Sequence, residues 1–185
     1  MGTQHGSHSH GPSHSQGSAS SAEHKARGPS TISCGIITCS DTRTPDTDKS
    51  GQLIRELLTS QGHCIDAYHV VKDEPTEVQL LLQELGTHHS LGAIIINGGT
   101  GISQRDSTFE AVDGLLEKHL VGFGEIFRYL SYKDIGSSAI LSRATAGLYR
   151  GKVIFSIPGS SGAVRLAMES LIIPELPHIV GEMQK

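Results

Sequence analysis

The chain has 185 residues, 36% of them hydrophobic and 18% charged, with a formal net charge of −4. That length suits one domain with an appendage and is enough to bury a real core. The acidic balance, the absence of tryptophan and the 4% aromatic content argue against a basic surface for nucleic acid or membrane and against base-stacking platforms.

No apolar run reaches the ~18 residues needed to span a bilayer, and no apolar stretch of the signal-peptide kind opens the chain. A cytoplasmic protein with neither membrane nor nucleic-acid partners is therefore expected. Cys34, Cys39 and Cys64 form no C-x-x-C pair and cannot all pair within one chain. They read as buried thiols in a reducing compartment rather than as a zinc or redox motif.

Residues 1–30 are dominated by Ser, Gly and His, with five of the 11 histidines at His5, His8, His10, His14 and His24. Such a segment cannot bury enough apolar surface to offset its ordering entropy, so a disordered tail is expected. Its histidines either hold a soft metal ion or belong to a solubilising leader.

The texture changes at Thr31. Residues 32–39 read as a buried strand that ends in the polar loop Ser40-Asp41-Thr42-Arg43. A helix follows Asp48-Lys49-Ser50-Gly51, with Leu53, Ile54, Leu57 and Leu58 on one stripe and Gly62 as its stop. Residues 64–71 read as strand. Pro75 suits the first position of the next helix, where Val78, Leu81, Leu82 and Leu85 keep helical spacing. Residues 91–96 return to strand and break into Gly98-Gly99-Thr100-Gly101.

Ser107 and Glu110 have capping-box spacing, with Phe109, Val112, Leu115 and Leu116 as the stripe behind them. A helix is expected over residues 124–132, and an irregular strand or loop around Ser142-Arg143. Residues 152–157 form another strand, ending at Pro158-Gly159-Ser160-Ser161-Gly162. The last helix points Val164, Ala167, Met168 and Leu171 inward, and Pro174 and Pro177 kink or split its end. The histidines of this region, from His63 to His178, fall in turns or at helix ends without a ligand pattern. Strand and helix alternate about four times, which predicts a three-layer αβα sandwich with a mostly parallel central sheet over residues 31–185.

Four polar or glycine-rich loops follow strands: Ser40-Asp41, Lys72-Asp73, residues 98–106 and residues 158–162. In a parallel sheet they gather along one edge, where ligands of open α/β sheets bind. Glycines there let backbone N–H groups approach a phosphate. The glycine loop is neither a Walker A loop nor a complete G-x-G-x-x-G, since Gln104 stands at the third glycine.

Asp73 and Asp106 sit at strand-to-helix junctions, either as hard ligands for Mg²⁺ beside substrate phosphates or as helix caps. Arg105 either clamps a phosphate or pairs with Glu110. Ser160 and Ser161 precede a helix and suit both an N-cap and an anion at its N-terminus. No G-x-S-x-G elbow is present, which argues against a serine hydrolase.

Taken in order, Ser40-Asp41, Asp48-Lys49-Ser50-Gly51, Asp73-Glu74, Gly98-Gly99-Thr100-Gly101, Arg105-Asp106, Gly122-Phe123-Gly124-Glu125, Leu141-Ser142-Arg143-Ala144 and Pro158-Gly159-Ser160 resemble the MoaB/Mog family of molybdenum cofactor biosynthesis. The segment Ser131-Tyr132-Lys133-Asp134-Ile135-Gly136 looks most like its MoaB branch. The resemblance covers residues 31–182.

It implies molybdopterin binding and a molybdopterin adenylyltransferase activity. The terminal phosphate of molybdopterin attacks the α-phosphorus of Mg-ATP, releasing pyrophosphate. The alternative it leaves is a molybdopterin-binding or carrier protein without turnover. By family match, Asp73 and Asp106 are the catalytic, Mg²⁺-organising carboxylates, and Gly98, Gly99, Thr100 and Gly101 cradle phosphate. Ser40, Asp41 and Ser50 shape the neighbouring pocket, and Ser142, Pro158, Gly159 and Ser160 lie on the pterin or nucleotide rim. A homotrimer or hexamer and a molybdate-insertion partner protein are also implied. Gln104, Phe109, Val121 and Ser161 stand where family members often carry proline.

Overall fold

The computed structural model describes residues 28–104 and 106–185. The expected tail up to residue 27 and the two contacts expected of Arg105 lie outside the described residues. At the start of the described chain, Gly28 lies directly against the Pro177 backbone.

Strand β1 (Ser33–Cys39) leads through α1 (Lys49–Ser60) to β2 (Cys64–Val71), and α2 (Pro75–Gly86) leads on to β3 (Leu91–Asn97). A short helix α3 (Thr108–Asp113), the two-residue strand β4 (Lys118–His119) and helix α4 (Val121–Ile135) follow. A 3₁₀ turn (Gly136–Leu141) then opens into β5 (Thr145–Tyr149) and β6 (Lys152–Ile157). The chain closes with α5 (Ser161–Ala167), a π turn (Met168–Ile172) and α6 (Ile173–Met183).

The six strands form one sheet in the order β2-β1-β3-β6-β5-β4. β2, β1, β3 and β6 run parallel, and β5 and β4 add an antiparallel edge. The expected three-layer, mostly parallel αβα architecture is the one observed.

Strand alternation sends neighbouring side chains to opposite faces, which splits the isoleucine run of β3. Ala93 and Ile95 join Ile54, Leu58, Phe127 and Leu176 in one core. Ile94 and Ile96 meet Val78, Leu82 and Leu85 in the other. Helices α1, α4, α5 and α6 cover the first face, and α2 and α3 the second. Full burial on both faces explains why this strand is an unbroken β-branched run rather than an alternating one.

Several local expectations change. The region around residues 137–149 is more ordered than a loop alone, although Ser142-Arg143 itself is loop, as expected. It holds the 3₁₀ turn and then β5, which returns to β6 through Arg150 and Gly151, both at positive φ (47° and 72°). A two-residue type I′ hairpin turn needs that geometry at both positions, and an Arg-Gly pair is a weak signal for it.

In the last helix, Ile172 is fully buried where Leu171 was expected, and Leu171 is half-buried. The π turn inserts one residue into the repeat and so moves the inward stripe by one position. Pro174 occupies the first turn of α6, where its missing N–H costs nothing, and Pro177 lies inside that helix.

Cys64 is exposed rather than buried, because it opens β2 at the edge of the sheet. His69 lies within β2 and His178 within α6, not in turns or at helix ends. His63 is buried and accepts a hydrogen bond from the Ile32 amide.

Candidate functional site

After β1 the chain places β2 on one side and then β3 on the other. The loops leaving β1 and β3 therefore part at a switch point, where the carboxyl ends of parallel strands leave a crevice. A cleft of about 650 Å³ occupies this position. Ser40, Asp41, Asp73, Gly98, Gly99, Thr100, Gly101, Asp106, Ser142, Pro158, Gly159 and Ser160 all line it. Ser50 does not. It lies beneath the cleft, 1% exposed, and donates to Asn97 Oδ1 at 2.7 Å.

The glycine loop is wedged between its neighbours. Gly98 (φ +100°) and Gly99 (φ +60°) hold left-handed backbone conformations that favour glycine. A Cβ on Gly98 would stand 2.2 Å from the Cys39 carbonyl oxygen, and one on Gly99 would stand 2.5 Å from Asp73. Gly101 meets Asp106 in the same way, at 2.5 Å. The two carboxylates thus flank the loop, one against each end.

Neither is a helix cap. The N-cap of α2 is Glu74 and that of α3 is Ser107. Asp73 accepts instead from Thr108 Oγ1 at 2.7 Å, and Asp106 from the Ser103 amide at 3.0 Å and from the Ser103 hydroxyl. The expected capping box is not formed either, since Ser107 makes no side-chain cap bond. Glu110 pairs with Arg143.

Arg143 braces the loop from outside. Its Nε donates to the Thr100 carbonyl at 2.9 Å and its Nη2 to the Gly101 carbonyl, while Nη1 pairs with Glu110. The guanidinium also lies 4.8 Å above the Phe109 ring. This contact gives Phe109 a role other than the buried stripe expected of it. The Arg143 hydrogen bonds hold the Glu110 carboxyl below its ordinary value despite partial desolvation.

Beneath the loop lies a buried polar network. Asp48, fully buried at the N-cap of α1, accepts from the Gly51 amide at 3.0 Å, Ser50 Oγ at 3.0 Å and Tyr68 Oη at 2.7 Å. Asn97 Nδ2 donates to Thr38 Oγ1 at 2.8 Å. Arg43 spans the layers: it bonds Ser50 Oγ and the Gly159 carbonyl and lies 3.6 Å from Asp48 Oδ1. Buried charge is tolerated when it is paired and hydrogen-bonded in this way. Burial opposes ionisation of Asp48, but hydrogen bonds from Thr38, Tyr68, Gly51 and Ser50 outweigh it and hold its carboxyl below the ordinary range.

The far wall comes from α4 and the 3₁₀ turn, through Ser131, Asp134, Ile135, Ser138 and Leu141. Cys39 also reaches the cleft, but burial, together with the charge of Asp73, pushes its thiol up to about 12. It stays protonated near neutral pH and is no nucleophile. Among the described residues no group of three or more His, Cys, Asp or Glu side chains converges as a metal cage. Two flanking carboxylates are nevertheless a fitting partial donor set for Mg²⁺, which usually completes its shell with water and substrate phosphates.

The fold and cleft define an α/β domain that gathers phosphate-type loops at a switch point, and comparison with known proteins specifies it further. Residues 35–178 match the family described as "Probable molybdopterin binding domain". The chain belongs to this MoaB/Mog family of molybdenum cofactor biosynthesis. It is 55% identical over 164 residues to molybdenum cofactor biosynthesis protein B of Halalkalibacterium halodurans, covering 88% of this chain and 96% of that protein. A crystal structure of a molybdenum cofactor biosynthesis protein B superposes with a TM-score of 0.82 at 54% identity, covering 84% of this chain and 98% of that one. The tungsten cofactor synthesizing protein MoaB from Pyrococcus furiosus superposes with a TM-score of 0.77 at 38% identity, covering 85% and 99%.

Arg43, Thr38, Tyr68, Asn97 and Arg143 were given no role in the site from sequence, although Arg43 and Arg143 fell within quoted segments. Asp48 carried a signal, as a helix-capping residue before Ser50, and Asn97 carried another, as the polar residue closing an isoleucine run. Tyr68 carried none, and Arg143 carried only its place in the family-like motif Leu141-Ser142-Arg143-Ala144. Their partners lie 20 and 43 residues away, and only the folded sheet brings them together.

Because ionised Asp48 is favoured by folding, its contribution is complete above the ordinary carboxylate range near pH ~4 and is lost as acid protonates it. An Asp48→Asn variant should be less stable than the parent at pH 7, with a gap that narrows as the pH falls below about 4. Urea denaturation across pH 3 to 7 reads this, and a gap of constant size would contradict it.

Proposed function

We propose that the protein is a molybdopterin adenylyltransferase of molybdenum cofactor biosynthesis, transferring AMP from Mg-ATP to the terminal phosphate of molybdopterin. The observation that carries the reading is the pair Asp73 and Asp106 flanking a glycine loop at the switch point. The charge of the cleft supports it. Asp41, Asp73, Asp106 and Asp134 line the wall with Arg43 as the one cationic side chain among the described lining residues. A bare polyphosphate would be repelled there, whereas one that travels with a divalent cation would not. Mg²⁺ held by Asp73 and Asp106 would neutralise phosphate charge and polarise the bond to the leaving pyrophosphate.

The protein's own part is positioning and electrostatic organisation, since transfer of this kind needs no covalent nucleophile. The glycine loop admits a phosphate close to its backbone, and Arg143 fixes the loop by engaging the Thr100 and Gly101 carbonyls. In the reaction, a molybdopterin phosphate oxygen forms a new bond to the α-phosphorus while the α–β phosphoanhydride bond breaks. Ser142 and Ser160 stand on the rim where the organic parts of the substrates enter. A cytoplasmic setting follows from the supply of ATP and Mg²⁺.

Incubating the purified protein with molybdopterin, ATP and Mg²⁺ should yield adenylyl-molybdopterin and pyrophosphate in equal amounts. Asp106→Asn should lower turnover by about 10²–10³-fold or more with an unchanged thermal midpoint. Tight molybdopterin binding with no product above a boiled control would leave a binding or carrier role in its place. Normal turnover by Asp106→Asn would remove that carboxylate from the mechanism.

Self-association belongs to the same reading. Ile126, Tyr129, Tyr132, Ile135, Ile140 and Leu141 stand exposed on α4 and the 3₁₀ turn, with Ile140 at 85%. Large exposed apolar side chains gathered on two adjoining elements are what a contact face between copies would use. Light scattering should give the mass of a trimer or hexamer, and a monomer at micromolar concentration would contradict it.

A further inference from the structure

Two of the described arginines border the glycine loop, and they differ in how much of their hydrogen-bonding capacity the protein uses. A guanidinium carries five N–H donors in a planar fork. In Arg143 all three nitrogens are engaged: Nε with Thr100, Nη1 with Glu110, and Nη2 with both Gly101 and Glu110. That side chain is a brace, with four of its five donors engaged among the described residues. Arg43 uses one donor on Nη1, to Ser50 Oγ, and one on Nη2, to the Gly159 carbonyl at 3.2 Å. Among the described residues, three of its five donors make no hydrogen bond, on a side chain 35% exposed at the cleft wall.

We propose that Arg43 is a ligand-contacting residue of this cleft, which engages a substrate phosphate directly with those remaining donors. Its setting fits that task better than a purely structural one. Arg43 is tied on one side to the loop after β6, through Gly159, and on the other to the start of α1, through Ser50. Its guanidinium is therefore held in one place before any ligand arrives, which lowers the ordering cost of binding. Asp48 lies 3.6 Å away with its side chain fully buried, an anion fixed behind the guanidinium on the side away from solvent. Asp48 accepts hydrogen bonds from the Gly51 amide, Ser50 and Tyr68, so it has partners besides Arg43.

Arg43 is also the one described cationic side chain on a wall that carries four aspartates. An arginine there gives an anion a bidentate partner that the carboxylates do not, and planar forks match phosphate oxygens. The contact itself requires only a phosphate in the cleft. Assigning that phosphate to ATP or to molybdopterin rests on the adenylyltransferase reading above.

The test uses the full chain and direct titration with inorganic pyrophosphate and ATP, each with Mg²⁺, by calorimetry. Arg43→Gln should weaken both by about 10- to 100-fold, the range expected for losing hydrogen bonds to a charged group. Arg43→Lys should recover only part of the affinity, because it keeps the charge and loses the fork. A residue that only holds Ser50 and Gly159 together would instead lower the thermal midpoint and leave affinity for pyrophosphate, ATP and molybdopterin unchanged in the folded variants. That result would overturn the proposal.

If Arg43→Gln does not fold, Arg43→Lys decides: affinities equal to wild type for pyrophosphate, ATP and molybdopterin would overturn it. Unchanged pyrophosphate and ATP binding with a raised KM for molybdopterin would keep the contact and assign it to the pterin phosphate. Wild-type protein that binds these ligands through Arg43 but makes no adenylyl product would retain Arg43 and reject the transferase. No binding of any phosphate ligand to the wild type would reject both.

Discussion

The backbone at Gly98 is the joint on which the site depends. Its amide donates to the Ile157 carbonyl at the end of β6, and its Cα side lies so close to Cys39 at the end of β1 that a methyl group would fall 2.2 Å from a carbonyl oxygen. The loops leaving three adjacent parallel strands are thereby locked together. Gly159, from the β6 loop, packs on the Gly98 Cα, where a Cβ would come within 3.0 Å. With no side chain in this space, the crevice at the switch point stays open to a ligand while its floor stays closed.

The polar groups organise around that joint in two layers. Below it, Asn97, Thr38, Ser50 and Asp48 form a buried network in which each hydroxyl, amide and carboxylate finds a partner, as burial of polar groups requires. Above it, Asp73 and Asp106 stand at the two ends of the loop, each fixed by a neighbouring hydroxyl. The two arginines connect the layers to the rest of the domain. Arg143 reaches in from the chain before β5, and Arg43 from the loop after β1. A cleft dominated by carboxylates is thus held rigid from behind by guanidinium groups, an arrangement suited to metal-accompanied phosphate more than to a free anion.

The sheet and its two cores were legible in the sequence because the signals are local. Ile94-Ile95-Ile96 marks a strand buried on both faces, and Val78, Leu81, Leu82 and Leu85 mark a helix stripe that is buried as spaced. What failed were places where backbone geometry breaks the repeat. The π turn at Met168–Ile172 moved the inward position from Leu171 to Ile172, and the Arg150-Gly151 turn completes a strand, β5, that no local pattern marked after the expected loop at Ser142-Arg143. In the site, the residues at strand ends could be placed from sequence because parallel topology delivers all such loops to one edge. Arg43, Tyr68 and Arg143 could not, since their importance lies in partners that only tertiary structure supplies.

Amide resonances of the glycine loop test the central claim most directly. Titrating ¹⁵N-labelled protein with pyrophosphate in the presence of Mg²⁺ should shift the Gly98, Gly99 and Gly101 signals in a saturable way. Without Mg²⁺ the same titration should leave them in place. Shifts confined to residues away from this loop, or equal shifts with and without the metal, would contradict a metal-accompanied phosphate site between Asp73 and Asp106.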